Sequence, residues 1–184
     1  NNYIEGYGGL NVVTTGSGSD EITVGGGLNV VVSGSGNDKV KAFGGTNVIY
    51  SSGGNNEMLG VGTGGNVFVK TGDGDDKMYA AGHLNVLTKV ADGNTTMVAG
   101  GALNALTKVG DGKDTLIALG AGNLITKVGD GSSTMIGGAK FNVITSWGNS
   151  KDTIAAVGKV NALIGGGEND IMVAGGMGNI AFGD

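Results

Sequence analysis

Three groups of side chains are candidates for chemistry: carboxylates in Gly-rich turns, a ladder of ammonium groups, and one imidazole. Asp75 and Asp76 are adjacent carboxylates, but they follow the Gly-rich run Gly72-Asp73-Gly74 and nothing around them supplies a substrate cleft. They read as turn residues. His83 has no second His or Cys near it, so it is not a zinc ligand. Gly112-Lys113 is followed by Asp114 and Gly158-Lys159 by Val160, so no phosphate-binding loop is present. Lys70, Lys89, Lys108 and Lys127 recur in step, with Asp73, Asp92, Asp111 and Asp130 three residues further on. Two ladders of opposite sign predict a solvated edge of mixed pairs, each worth roughly 0–1 kcal/mol. A strip for anionic lipid headgroups is the functional alternative, weakened because the Asp ladder cancels the Lys ladder. No catalytic constellation emerges.

Ladders require elements that repeat. Asn recurs at 11, 29, 47, 66, 85, 104, 123, 142, 161 and 179, in steps of 18 or 19 residues. That period is too short for a strand–helix–strand unit and shows no helical pattern. It fits two short strands and two Gly-rich turns. The sequence therefore predicts an all-β chain, a parallel β-solenoid (β-helix or β-roll) of about ten 18–19-residue coils with two short strands per coil. Stacked at about 4.8 Å, the coils would span on the order of 45 Å.

Each coil divides into an Asn half and an Asp half. The Asn half predicts an inward column of Val13, Val31, Ile49, Phe68, Leu87, Leu106, Ile125, Ile144 and Leu163. The Asp half predicts a second column, Ile22, Val40, Met58, Met78, Met97, Leu116, Met135, Ile154 and Met172. Leu106→Asp is then severely destabilising, and Lys108→Asp close to silent. Asn29, Asn47, Asn66, Asn85, Asn104, Asn123, Asn142 and Asn161 are expected to form a structural amide ladder, each donating to one neighbouring coil and accepting from the other. Alternation sends the next residue outward. Val30, Val48, Val67, Val86, Leu124 and Val143 belong to such an outward apolar stripe, a candidate interface. Thr88, Thr107, Thr126 and Thr145 form one Thr rank and Thr96, Thr115, Thr134 and Thr153 another, read as strand formers.

Composition agrees with a ladder-built fold. Gly occurs 41 times and Pro not at all, which suits a chain whose backbone N–H groups are nearly all engaged. With no Cys there are no disulfides or thiolate metal sites. The net charge is −5 and every basic residue is Lys, a poor platform for nucleic acid. No apolar run reaches the roughly 18 residues of a membrane helix, and the chain does not open on a signal-peptide pattern.

The Asp halves Gly16-Ser17-Gly18-Ser19-Asp20-Glu21-Ile22 and Gly34-Ser35-Gly36-Asn37-Asp38-Lys39-Val40 resemble the nonapeptide of repeats-in-toxin (RTX) proteins, as does Gly72 to Met78. In that family the turns bind Ca²⁺ through Asp carboxylates and backbone carbonyls. The Asp column decays here to Asn56, Thr95 and Ser133, leaving Asp20 and Asp38 as two successive intact motifs and weak candidates for calcium. No cofactor is required by this reading, with calcium allowed, and the fold is expected to form in chelator.

From Asn66 the runs Leu84 to Val90, Leu103 to Gly112 and Gly122 to Gly131, of the form N-x-x-T-K-V-G-D-G, resemble the Gly-rich repeats of multifunctional-autoprocessing RTX (MARTX) toxins. That resemblance implies a segment of a large toxin secreted by Gram-negative bacteria, acting at the surface or membrane of a host cell. Its repeats engage the plasma membrane and help deliver effector domains. The expected partners are neighbouring repeats of the same chain and the host plasma membrane, with self-association through the apolar stripe as a further option and no nucleic acid. The expected organisation is a single solenoid over 1–184, with RTX-like coils at 1–65 and N-x-x-T-K-V-G-D-G coils at 66–184. The chain opens inside a partial coil and stops where a turn should begin, so a fragment of a longer array is expected. A calcium-binding RTX secretion or spacer module of an adhesin is the alternative function, and an ice- or carbohydrate-binding solenoid a further one. No reading makes the chain an enzyme.

Overall fold

The structure, a computed structural model, describes residues 1–167 and 169–183. Asp184, where the sequence predicts a further turn to begin, lies outside them. Every regular element among the described residues is a strand. In chain order these are β1 (Tyr3–Thr14), β2 (Glu21–Ser33), β3 (Lys39–Ser51), β4 (Glu57–Gly62), β5 (Gly65–Thr71), β6 (Asp76–Ala81), β7 (Leu84–Val90) and β8 (Thr95–Val109). Then follow β9 (Asp114–Val128), β10 (Thr134–Gly138), β11 (Phe141–Trp147), β12 (Thr153–Val157), β13 (Val160–Gly165), β14 (Ile171–Gly175) and β15 (Gly178–Gly183). All pair in parallel, each with the strand one coil before or after it, in a parallel β-solenoid. The long strands β1, β2, β3, β8 and β9 bend around one corner and belong to both walls.

Register follows the repeat residue for residue. Asn11 pairs with Asn29, Asn29 with Asn47, Asn47 with Asn66 and Asn66 with Asn85. A slip of one residue would turn every inward side chain out, so the alternating pattern locks the stacking. From Asn11 to Asn179 the column takes nine steps, one per turn of the solenoid.

The core is one layer deep from each wall. Val31, Ile49, Phe68, Leu87, Leu106, Ile125, Ile144 and Leu163 are fully buried on the Asn wall. Ile22, Met58, Met78, Met97, Leu116, Met135 and Ile154 are fully buried on the Asp wall, with Val40 nearly so. Each contributes roughly 1.5–3 kcal/mol. Val13 and Met172, at the two ends, are only partly covered. Size is traded across the layer. Phe68 is the largest buried side chain, and opposite it stands Gly60, where a Cβ would lie 2.5 Å from the Phe68 ring. The corner between the walls is equally tight. A Cβ at Gly26 would overlap the Gly8 carbonyl of the preceding coil.

The outward columns are apolar as the alternation predicts. Val30, Val48, Val67 and Val86 are half-buried by their neighbours, while Leu124 and Val143 are exposed.

Candidate cation sites at the turn edge

Two strands meet at each Gly-rich turn, and each places one last inward side chain there. The Asn strands end in the column Ser33, Ser51, Lys70, Lys89, Lys108, Lys127, Ser146, Gly165, all in direct register. Thr15 follows the end of the first Asn strand. Across the turn the Asp strands begin with Asp20, Asp38, Asn56, Asp76, Thr95, Asp114, Ser133 and Asp152, all buried, followed by the half-buried Asp170. The two columns face each other inside the solenoid, beneath the turn.

This overturns the solvated edge expected for the lysines. Lys70, Lys89, Lys108 and Lys127 are fully buried. Only the ladder of Asp73, Asp92, Asp111 and Asp130 is exposed, and it does not pair with them. Its carboxylates accept backbone N–H groups from the next coil, Asp92 N–H to Asp73 Oδ1 at 3.1 Å, Asp111 N–H to Asp92 Oδ1 at 2.8 Å and Asp130 N–H to Asp111 Oδ1 at 2.7 Å. The physical reason is parity. Lys108 stands two residues after the inward Leu106, and a strand sends both to one face. The signal was in the sequence, but the presumption that an unpaired ammonium stays in water overrode it.

The buried ammoniums are ligated by the turn. Lys70 Nζ donates to the carbonyls of Thr71 (2.8 Å) and Gly72 (2.7 Å). Lys89 Nζ donates to the Gly74 carbonyl and stands 2.9 Å from Asp76 Oδ2, with Lys70 Nζ 3.6 Å from the same oxygen. Lys108 Nζ donates to the Ala91 carbonyl at 2.8 Å and to that of Asp111 at 3.3 Å. Lys127 Nζ donates to the carbonyls of Gly129 and Asp130. Burial pushes the Lys70 and Lys108 ammoniums below the ordinary lysine value, against the pull of Asp76 and Asp114 respectively. Burial likewise pushes Asp114 up, against Lys108 and Lys127.

The coils before Lys70 use the same columns differently. Asp20 N–H donates to Asp38 Oδ1 at 3.0 Å and Asp38 N–H to Asn56 Oδ1 at 2.8 Å, so one oxygen of each column residue closes the ladder. Asp20 Oδ2, Asp38 Oδ2 and Ser33 Oγ are left buried without a hydrogen-bond partner. Asn56 instead satisfies its turn with its own amide, donating to the carbonyls of Ser52, Gly53 and Gly54. Carboxylate, hydroxyl and turn carbonyl oxygens are the donors a hard divalent cation takes. Orphaned buried oxygens are where such an ion is expected. Asp20 and Asp38 thus come together as the spacing predicted. Ser33, buried and unpartnered before the turn that leads to Asp38, was not anticipated. Among the described residues no cluster of three or more acidic, His or Cys side chains forms, so at most two carboxylates serve any one site.

The amide ladder runs along the opposite side of the interior. Asn29 Nδ2 donates to Asn47 Oδ1, Asn47 to Asn66, Asn66 to Asn85 and Asn85 to Asn104, each at 2.8 Å. Asn104 continues to Asn123 (2.9 Å), Asn123 to Asn142 (3.0 Å) and Asn142 to Asn161 (2.7 Å). Its second amide hydrogen reaches a corner carbonyl, as from Asn29 to Phe43 O at 2.9 Å. These residues are saturated by one another and have no capacity for a ligand.

Residues 1–31, 23–58 and 60–82 match the RTX calcium-binding nonapeptide repeat, in four copies. These coils are similar to an RTX repeat region. The match covers the coils of Asp20, Ser33 and Asp38 and stops after the first lysine coil, before Lys89 and before Asp114, whose two buried oxygens also lack a hydrogen-bond partner. No curated protein and no solved structure matches the chain. RTX repeats occur in secreted toxins and adhesins, where the solenoid is a structural element.

Proposed function

We propose that the chain is a non-catalytic structural repeat segment of a large secreted bacterial toxin, of the MARTX kind, that lies against the membrane of a target cell and supports effector delivery. One observation carries this reading. Among the described residues, the outer face of the Asn wall bears no charged side chain, because the only charges on the Asn-wall segments, Lys70, Lys89, Lys108 and Lys127, point inward. Leu103, Phe141 and Trp147 stand 54%, 58% and 52% exposed on it. From Thr96 onward the outer face of the Asp wall is uncharged as well, and the charges are confined to the turns. A continuous apolar surface of this kind marks an interface. With a net charge of −5 and no Arg, attraction to anionic headgroups is a minor part of binding. Co-flotation with phosphatidylcholine vesicles, with and without Ca²⁺, tests the reading. Binding that survives high salt, and that Phe141→Asp with Leu103→Asp weakens about tenfold or more while the fold persists, is the expected result. A chain that never floats is a spacer, and the proposal fails.

The orphaned oxygens of Asp20, Ser33 and Asp38 favour a second property of the same segment, weak calcium binding in the RTX-related coils. Ca²⁺ should raise the protection of these coils against hydrogen exchange, and Asp38→Asn should abolish the response.

A further inference from the structure

In the RTX family the turns bind Ca²⁺, yet the turns from Lys70 to Lys127 do not fit a metal. Buried lysine side chains occupy their interior, and the two unpartnered Asp114 oxygens there face the charge of Lys108 and Lys127. We propose that Lys70, Lys89, Lys108 and Lys127 are tethered cations that take the place of a bound metal ion, so that the central coils close their turns without one.

Four observations converge. The first is position, because Ser33 and Ser51 stand in one register column with Lys70 and Lys89, so a short hydroxyl side chain gives way to a long cationic one. Second is ligation. Each ammonium is held by turn carbonyls, and the Lys89 ammonium also by a carboxylate oxygen, the donor types that would otherwise bind a hard cation. Third, every lysine turn is of the longer kind, which it shares with the turn from Ser146 to Asp152. Four residues, Gly34 to Asn37, separate Ser33 from Asp38, whereas five, Thr71 to Asp75, separate Lys70 from Asp76. The fourth is charge. A lysine brings one positive charge where a divalent ion brings two, and the facing carboxylate column thins to match, with Thr95 and Ser133 alternating with Asp76 and Asp114. Asp76 Oδ2 lies within ion-pairing reach of the lysines of two successive coils. A second divalent ion beside those ammoniums would meet repulsion from both.

The proposal does not depend on the membrane reading, and it makes the two halves of one chain opposite in their response to metal. Hydrogen exchange read coil by coil on the full chain, in EDTA and in CaCl₂, is the first arm. Amides around Leu87, Leu106 and Ile125 should be equally protected in both, whereas those around Ile22 and Val40 gain protection only with Ca²⁺. Central coils that need Ca²⁺ for protection overturn the proposal. The second arm removes the tethered charge. Lys89→Met keeps the apolar stem and should loosen the turn from Gly72 to Thr95 in EDTA and in Ca²⁺ alike. Unchanged protection there overturns the proposal. The third arm reverses the exchange. Lys89→Ser with Thr95→Asp reopens a slot beside Asp76, and Ca²⁺ should raise the melting temperature of this variant by about 5 °C or more, more than in the parent chain. A variant that folds but ignores Ca²⁺ counts against the idea. One that folds only with Ca²⁺ supports it, and if it folds in neither condition the first two arms decide.

Discussion

The coils around Asp20 and Asp38 and the coils around Lys89 and Lys108 share one backbone plan and differ in what fills the space under the turn. Both are built on the Asn ladder, the inward apolar columns and Gly-rich corners. In the first, buried carboxylate and hydroxyl oxygens have no hydrogen-bond partner. In the second, an ammonium on a four-carbon stem sits among the turn carbonyls. A solenoid isolates each turn from all but its nearest neighbours, so one array can carry two solutions to the same electrostatic problem. The lesson is that the repeat constrains the walls far more strictly than the turns.

The strongest test of this division is a pair of substitutions. Leu106→Asp places a carboxylate between Leu87 and Ile125 and should cost more than about 4 kcal/mol, abolishing cooperative melting. Lys108→Asp should be nearly as damaging, by about 3–5 kcal/mol, because it removes the buried ammonium and sets a second carboxylate beside Asp114. The solvated-edge reading expected silence from that change. Urea melts of the two variants measure the difference directly. A wild-type midpoint for Lys108→Asp would return the lysines to the surface.

A smaller, shared effect should accompany loss of the amide ladder. Asn29→Ala and Asn104→Ala each remove bonds of 2.8–3.0 Å and leave neighbouring amides unpaired. Each should cost about 1–3 kcal/mol, equally in both regions. Inequality in urea would show that the regions differ in more than their turns.

The lysine coils should also differ in pH response. A lysine held below its ordinary value of 10.5 binds fewer protons folded than unfolded. Stability attached to Lys70 and Lys108 therefore rises with pH, between their lowered folded values and 10.5. The urea midpoint should climb on the alkaline side, and Lys108→Met should flatten the climb. Smallest of all, Ala91 adopts φ +153° at a corner where Gly110 and Gly129 occupy the following coils. Ala91→Gly should stabilise the central coils by about 1 kcal/mol, seen as a modest rise in melting temperature.

Much of this molecule was legible before any coordinates. The Asn spacing gave the period, and the inward columns through Leu106 and Leu116 followed from alternation. The meeting of Asp20 with Asp38 followed from stacking. What escaped was the interior of the turn, because three general rules pulled against one another there. Parity placed Lys108 inside, solvation preferences placed it outside, and the Asp111 ladder offered a false partner. Only the carbonyls of Ala91 and Asp111, which no sequence pattern displays, decide for parity. The exchange of bulk between Phe68 and Gly60 was hidden for a similar reason. It lies across the two walls, and periodicity along the chain says nothing about which opposite residues meet.

The Asn ladder has a direction. Each side-chain amide donates toward the higher-numbered coil and accepts from the lower, from Asn11 to Asn179 without reversal. The solenoid is therefore electrically polar along its axis, a row of aligned amide dipoles with donors facing one end and acceptors the other. Two copies meeting end to end could continue the row only head to tail, since a two-fold contact would set donor against donor. Such a translational contact does not close on itself.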